Sequence, residues 1–235
     1  PLGVDGIEFI EFATSRPQAL GGVLETFGFR PIARHRSREV ELYRQGTMNI
    51  VVNAQPADVP RTVMPSERPV ISAFAVRVRD AQYAYRRAIE LGAWEIPVRA
   101  QAMEINVPAI HGVGESLIYF VDRWHGKGGA TAGDIGNISI YDVDFVPIAG
   151  VDPYPAGAGL VNVDHLTHNV HRGRMAEWSD FYERLFNFRE VRYFDIEGKV
   201  TGVKSKAMTS PCGQIRIPIN EEGNDVKGQI QEYLD

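Results

Sequence analysis

Apolar and polar positions along this chain change period in a fixed order, and that order repeats. Ile7 to Ala13 is apolar enough for a buried strand. From Arg16 to Phe27 the spacing changes to three and four, with Leu20, Val23, Leu24 and Phe27 on one face, which predicts an amphipathic helix. Ser15 is placed to cap it and Pro17 suits its first turn, whereas Gly21-Gly22 weakens it. Strands are expected next near Phe29–Arg34, Val40–Arg44 and Thr47–Asn53. A second round begins with a strand at Val70–Val78. A helix capped by Asp80 then runs through Leu91 and ends at Gly92, followed by strands near Trp94–Val98, Met103–Val107 and Ser116–Val121. A third round has a strand at Asn162–Val170 and a helix at Arg174–Phe186 burying Met175, Trp178, Phe181, Tyr182 and Leu185. Its strands are expected near Glu190–Phe194, Val200–Met208 and Gln214–Ile219.

The repetition extends to the helix ends. Phe27-Gly28-Phe29-Arg30 closes the first helix and Phe186-Asn187-Phe188-Arg189 the third. Gly and Asn are the residues that best adopt the left-handed conformation closing a helix. Between the units, Ala54–Pro69 is polar and Pro-rich, and Gly126–Gly133 reads as a mobile Gly-rich loop. Ala149–Gly159, with two Pro and three Gly, reads as a linker. The expected organisation is residues 1–148 as an N-terminal domain of two βαβββ modules, 149–159 as linker, and 160–235 as the first module of a second domain.

A βαβββ module cannot close on itself. Two side by side make an eight-stranded curved sheet with helices outside, an α+β fold that resembles the vicinal-oxygen-chelate, or glyoxalase-like, architecture. The third module has no sequence partner, so its sheet should show an exposed edge and an uncovered face. A fourth module beyond Asp235, or another chain, is the expected cover. The lack of an initiator Met likewise suggests residues upstream.

Composition narrows the function classes. The chain has 235 residues, 44% hydrophobic and 23% charged, as in ordinary globular proteins. A formal net charge of -5 argues against nucleic acid as the main partner. No apolar run is long enough to span a bilayer, and the first residues carry no secretion signal. The single cysteine, Cys212, excludes an internal disulfide and argues against a Cys-based metal site, so a cytoplasmic protein is expected. Cys212 lies in the turn Ser210-Pro211-Cys212-Gly213 and reads as a partly exposed thiol rather than a nucleophile.

Of the six histidines, His35, His111 and His125 read as surface or structural residues. The segment Asp164-His165-Leu166-Thr167-His168-Asn169 carries more. Strand alternation puts His165 with Val163, Thr167 and Asn169 on one face and His168 on the other, so the two cannot share a metal. His171 falls past the strand, near the helix start. Aligning the repeats places Phe9 and Ala73 where the third module has His165. Neither can ligate, so any metal site belongs to the third module, with His165 as its ligand.

The blocks Val163–Val170, Arg172–Met175, Phe181–Arg189, Ser205–Thr209, Ile217–Glu221 and Gly228–Tyr233 closely resemble bacterial 4-hydroxyphenylpyruvate dioxygenases. Similarity is weaker through Tyr43-Arg44-Gln45-Gly46 and the N-terminal half. The resemblance implies an Fe(II) enzyme that binds its metal with two His and one Glu, a triad suited to oxygen activation. The first His falls on His165, and the other two ligands are expected beyond Asp235. The resemblance also implies substrate contacts at Ser205, Asn220 and Gln229, with Pro218 shaping the strand beside Asn220. On the residues alone the plainer readings prevail: an outward serine, a strand-end cap and a solvated helix residue. The implied reaction converts 4-hydroxyphenylpyruvate and O2 to homogentisate and CO2 in a cytoplasmic homo-oligomer, with neither nucleic acid nor membrane as partner. Two rivals stand beside it: a 4-hydroxymandelate synthase, and a non-catalytic module of the same fold that binds aromatic ligands.

Overall fold

The structure, a computed structural model, describes residues 1–54, 66–96, 106–124, 138–197, 202–224 and 226–234. Several sequence expectations lie wholly or partly outside them: the Gly126–Gly133 loop, His125, most of Ala54–Pro69, the end of the strand at Trp94–Val98 and most of that at Met103–Val107.

The first module is β1 (Ile7–Ala13), α1 (Pro17–Thr26), β2 (Arg30–His35), β3 (Val40–Gln45) and β4 (Met48–Asn53). Ser15 does not cap α1. Its backbone N–H goes to the Ser66 carbonyl, while the Thr14 hydroxyl accepts from the Arg16 N–H. The second module begins with β5 (Val70–Arg77) and α2 (Ala81–Glu90) and continues with β6 (Ala109–His111) and β7 (Leu117–Val121). Asp80 caps α2 through a 2.8 Å bond from the Tyr83 N–H, and Gly92 leaves the helix at φ 90°. At the expected Trp94–Val98 strand, Glu95 makes only a single bridge to Ile110.

These strands, with the additional β8 (Phe145–Pro147), make one eight-stranded sheet in the order β6-β7-β5-β1-β4-β3-β2-β8. The count of eight matches the expectation, but neither β6 at Ala109–His111 nor the last member, β8, was foreseen. A short helix, α3 (Ile140–Asp144), delivers the chain to β8 through a reciprocal Ser139–Asp142 cap. One face of the sheet gathers Phe9, Leu42, Val51, Ala75, Val121 and Tyr141 into a single apolar cluster. Helices α1 and α2 bury Leu20, Leu24, Ala84 and Ala88 against the opposite face.

The segment 149–159 is tied to this sheet. Gln45 Oε1 accepts from the Ala158 N–H at 2.6 Å, and Gln45 Nε2 donates to the Phe27 carbonyl at 2.9 Å. Gly157 lies so close to the Gln45 side chain that a Cβ there would collide with it.

The third module is β9 (His168–Asn169), α4 (Met175–Phe186), β10 (Arg189–Glu197), β11 (Gly202–Thr209) and β12 (Arg216–Glu222), followed by a short α5 (Gln229–Leu234). Its four-stranded sheet runs β10-β11-β12-β9, the same order as β2-β3-β4-β1 in the first module. In all three modules the first strand pairs in parallel with the last. The register also agrees: Ala13 faces Asn53 as Asn169 faces Asn220, which supports the alignment of Phe9 with His165. Gly28 at φ 92° and Asn187 at φ 57° close the two helices as expected.

The strand expected at Asn162–Val170 shortens to two residues. In the first module β1 has β4 on one side and β5 on the other. Among the described residues β9 has only β12 beside it, so residues 162–167 are not held in a second ladder. Among the described residues their one backbone-to-backbone hydrogen bond to β12 is the Leu166 N–H on the Arg216 carbonyl at 3.0 Å, beside the Arg216 side chain on Asp164.

Helix α4 has two neighbours. It buries Tyr182, Leu185 and Phe186 against Met208, Ile217 and Ile219 of its own sheet, in one cluster with Phe74, Val76 and Phe120 of the first sheet. Phe186 stacks on Phe120 at 6.1 Å between ring centroids. The two sheets therefore share a core.

Candidate functional site

The four-stranded sheet presents one face to α4 and leaves the other open. Met208, Ile217 and Ile219 face the helix. Alternation and register assign Ser205, Asn220 and Asn169, which lie side by side on neighbouring strands, to the open face. Ser205 and Asn220 are half-buried, and the Asn220 amide lies 3.4 Å from Asn169 Oδ1. Phe194 pairs with Ser205 from the outer strand, so the polar row continues into an exposed aromatic ring.

His165 belongs to this face too. Leu166 is buried in the helix-side core, and His168 pairs with helix-side Ile219, so the intervening parity turns His165 outward. Its side chain is 51% exposed. Nδ1 lies 2.7 Å from Asp164 Oδ2, and Arg216 holds the same carboxylate at 3.1 Å. The hydrogen bond from His165 and then the Arg216 charge hold the Asp164 carboxyl below its usual pKa. A carboxylate on Nδ1 fixes the tautomer and leaves Nε2 as the donor atom, the usual surroundings of a metal-bound imidazole. His165 could thus hold a metal through Nε2. No group of three or more His, Cys, Asp or Glu that could hold a metal occurs among the described residues, so the remaining donors are not in this set.

His168 behaves differently. Its ring lies between Phe74 and Tyr182, with Nε2 2.6 Å from the Tyr182 hydroxyl. Burial lowers its pKa from 6.5 to about 4, and a backbone hydrogen bond at Thr167 only partly opposes this. The ring is neutral at neutral pH and accepts from Tyr182, whose own pKa burial raises. It is half-buried on the helix side of the sheet, the face opposite His165, as its parity predicted.

Gln229 is exposed at the first residue of α5. What brings α5 to the sheet is Glu222, on the same face of β12 as Asn220 and two residues further along. Glu222 Oε1 accepts from the Gly228, Ile230 and Gln231 N–H groups, each at 3.1 Å. The preceding Glu221 does the corresponding job on the other face. Its Oε2 accepts from the Gly173 and Met175 N–H groups at 2.9 and 3.1 Å, which caps α4 where Arg174 provides no side-chain cap. Adjacent glutamates on one strand thus anchor two helices on opposite sides.

A family model described as hydroxyphenylpyruvate dioxygenase, HPPD, N-terminal (Glyoxalase_5), matches residues 1–146. The chain belongs to the hydroxyphenylpyruvate dioxygenase family. The 4-hydroxyphenylpyruvate dioxygenase of Pseudomonas sp. (strain P.J. 874) is 51% identical over 234 residues, covering 100% of this chain and 63% of that relative. Hemolysin VllY of Vibrio vulnificus (strain CMCP6) is 46% identical over 239 residues, covering 100% of this chain and 64% of its own length. Among solved structures, a xylose isomerase-like TIM barrel/4-hydroxyphenylpyruvate dioxygenase fusion protein matches at TM-score 0.70 and 32% identity, over 94% of this chain and 32% of that one. The chain therefore spans slightly less than two thirds of the curated relatives it matches.

In this hydroxyphenylpyruvate dioxygenase family member the sequence reading overlooked both glutamate anchors and a polar cluster inside the first sheet. Glu8 is 2% exposed because a register shift between Ile7 and Phe9 turns it onto the Phe9 face. It is bound by Arg77 at 2.7 Å, the Tyr141 hydroxyl at 2.7 Å and the Asn49 amide at 3.0 Å. Burial raises the Glu8 pKa, and Arg77 and Tyr141 pull it back. Phe9 is buried in apolar contacts and Ala73 is fully buried, so these two counterparts of His165 serve the core. A cleft of roughly 280 Å³ lies between this network and the third module, bordered by Glu8, Asn49, Arg77, Asn162, Gln214 and Arg216. The signal for Glu8 was the pair of acids, Glu8 and Glu11, within a strand whose other residues are apolar. Cys212 sits half-exposed in its turn, 3.1 Å from the Ser210 hydroxyl.

Proposed function

We propose that the protein containing this chain is an Fe(II)-dependent dioxygenase that converts 4-hydroxyphenylpyruvate and O2 to homogentisate and CO2. The observation that carries this reading is a family-member sheet whose open face gathers His165, Ser205 and Asn220. In this reading residues 1–148 form a metal-free domain, 149–159 a linker, and 160–235 the part of the catalytic domain that bears the first ligand.

His165 offers Nε2 to the metal, with Asp164 and Arg216 fixing the ring. Bound Fe(II) would supply oxygen activation and a chelation site for the 2-oxo acid. Ser205 and Asn220 hold polar atoms of the substrate with a hydroxyl and an amide, and Gln229 supplies a second amide from α5. Phe194 and the neighbouring apolar side chains give the aromatic ring a surface and keep water from the reacting carbon.

A cytoplasmic homo-oligomer fits the same reading. Val191, Phe194 and Ile196 are exposed on the outer strand β10, which favours association. Among the described residues no helix is long and apolar enough to cross a membrane.

The test is product analysis. Protein containing this chain, given Fe(II), 4-hydroxyphenylpyruvate and O2, should release homogentisate and CO2 in equal amounts. His165→Ala should lose both bound iron, measured by metal analysis, and oxygen uptake. Hydroxymandelate as product would replace the assignment with a benzylic hydroxylase, and full turnover by His165→Ala would remove that residue from the metal site.

A further inference from the structure

We infer that Glu222 is a positioning residue for the substrate site, holding the start of α5 so that Gln229 stands over the open face. The inference rests on the substrate role proposed for Gln229. Three observations carry it. The Gly228 and Ile230 N–H groups that flank Gln229, together with the next one at Gln231, all donate to Glu222 Oε1. Gln229 therefore sits in a backbone segment fixed on both sides by one carboxylate. Next, a Cβ at Gly228 would come within 2.8 Å of both Glu222 carboxylate oxygens, so this close approach depends on glycine. Last, Glu222 is 5% exposed, and its Oε2 has no hydrogen-bond partner among the described residues. A charged group buried to stabilise a helix of six residues at the chain surface would be a poor use of desolvation. The arrangement makes sense if the orientation of the helix start matters. Short helices hold their own shape weakly, so the direction of Gln229 is set by its anchor.

The experiment is a double-mutant cycle on Fe(II)-loaded protein containing this chain. It reads kcat/KM in air and affinity for 4-hydroxyphenylpyruvate by titration without oxygen. Loss of one substrate hydrogen bond in Gln229→Ala should lower both by about tenfold. Glu222→Ala should lower both by a similar factor, and the double variant should be no worse than Gln229→Ala alone. Glu222→Gln keeps the accepting Oε1 and should restore affinity to within about threefold. Gly228→Ala should reproduce the Glu222→Ala loss.

Additive losses in the double variant would overturn the inference, because Glu222 would then act independently of Gln229. So would a Glu222→Ala protein with lowered melting temperature but unchanged affinity, which would reduce the residue to a helix cap. Should Glu222→Ala fail to fold, Glu222→Gln and Gly228→Ala complete the cycle on the same criteria. Unchanged affinity in Gln229→Ala itself would overturn the substrate role of Gln229, and this inference with it.

Discussion

His168 should make the stability of this chain depend on pH through one enclosed ring. In the unfolded chain it titrates near 6.5; folded, it titrates near 4. Between those values the unfolded state binds the extra proton, so stability is full above about pH 6.5 and is lost as pH falls toward 4. At 1.36 kcal/mol per pKa unit the whole effect is about 3 kcal/mol, of which about 2 kcal/mol falls between pH 7 and pH 5. Burial also raises the pKa of Glu8, which adds a second contribution to the wild-type curve, so that curve alone is not diagnostic. The comparison is with His168→Phe, which fills the space between Phe74 and Tyr182 without a titrating group. That variant leaves the Tyr182 hydroxyl without its partner, at a cost of about 1–3 kcal/mol at every pH. Urea unfolding of both proteins at pH 7 and pH 5 should therefore show their stability difference shifting by about 2 kcal/mol in favour of the variant at the lower pH. Parallel pH dependence in the two proteins would refute the assignment of a neutral, enclosed His168.

Glu221→Ala should destabilise the chain by about 1–3 kcal/mol in urea titrations, because the Gly173 and Met175 N–H groups lose their acceptor at the start of α4. A loss below about 0.5 kcal/mol would mean that water replaces the carboxylate there. Phe186→Ala should cost about 3–5 kcal/mol, and a cycle with Phe120→Ala should show coupling between the two rings across the sheets. Independent, additive effects would argue against a shared core.

The fold was legible where local signals agreed with one another. Asp80 and Gly92 marked both ends of α2, and the Phe-Gly-Phe and Phe-Asn-Phe steps marked two helix ends in equivalent positions. Strand parity separated His165 from His168, and the structure places one ring outward and the other on the helix side, against Phe74 and Tyr182. The reading failed where partners decide the outcome. Residues 162–167 have a strand-like pattern but no second ladder to join. The third-module reading ended its last strand at Ile219, short of Glu221 and Glu222. The glutamates' work is done on backbone groups up to 48 residues away, and no periodicity encodes that. Glu8 was hidden by a register shift, since regular alternation would have put it on the opposite face.

The shared core gives the first sheet a mechanical task. In a complete module pair each first strand would be flanked on both sides, as β1 is by β4 and β5. The His165 sheet lacks that second flank among the described residues, yet its helix is fully seated, because Phe120 and Phe74 stand where a further wall is needed. The first sheet thus acts as a buttress: it carries Phe9 and Ala73 where the third module has His165, and its Phe74 and Phe120 back the helix behind the His165 sheet. Substitutions on the far side of that wall, tens of residues from the site in sequence, should therefore loosen the geometry at His165 without touching the open face. Selection on the first sheet would then be selection for stiffness.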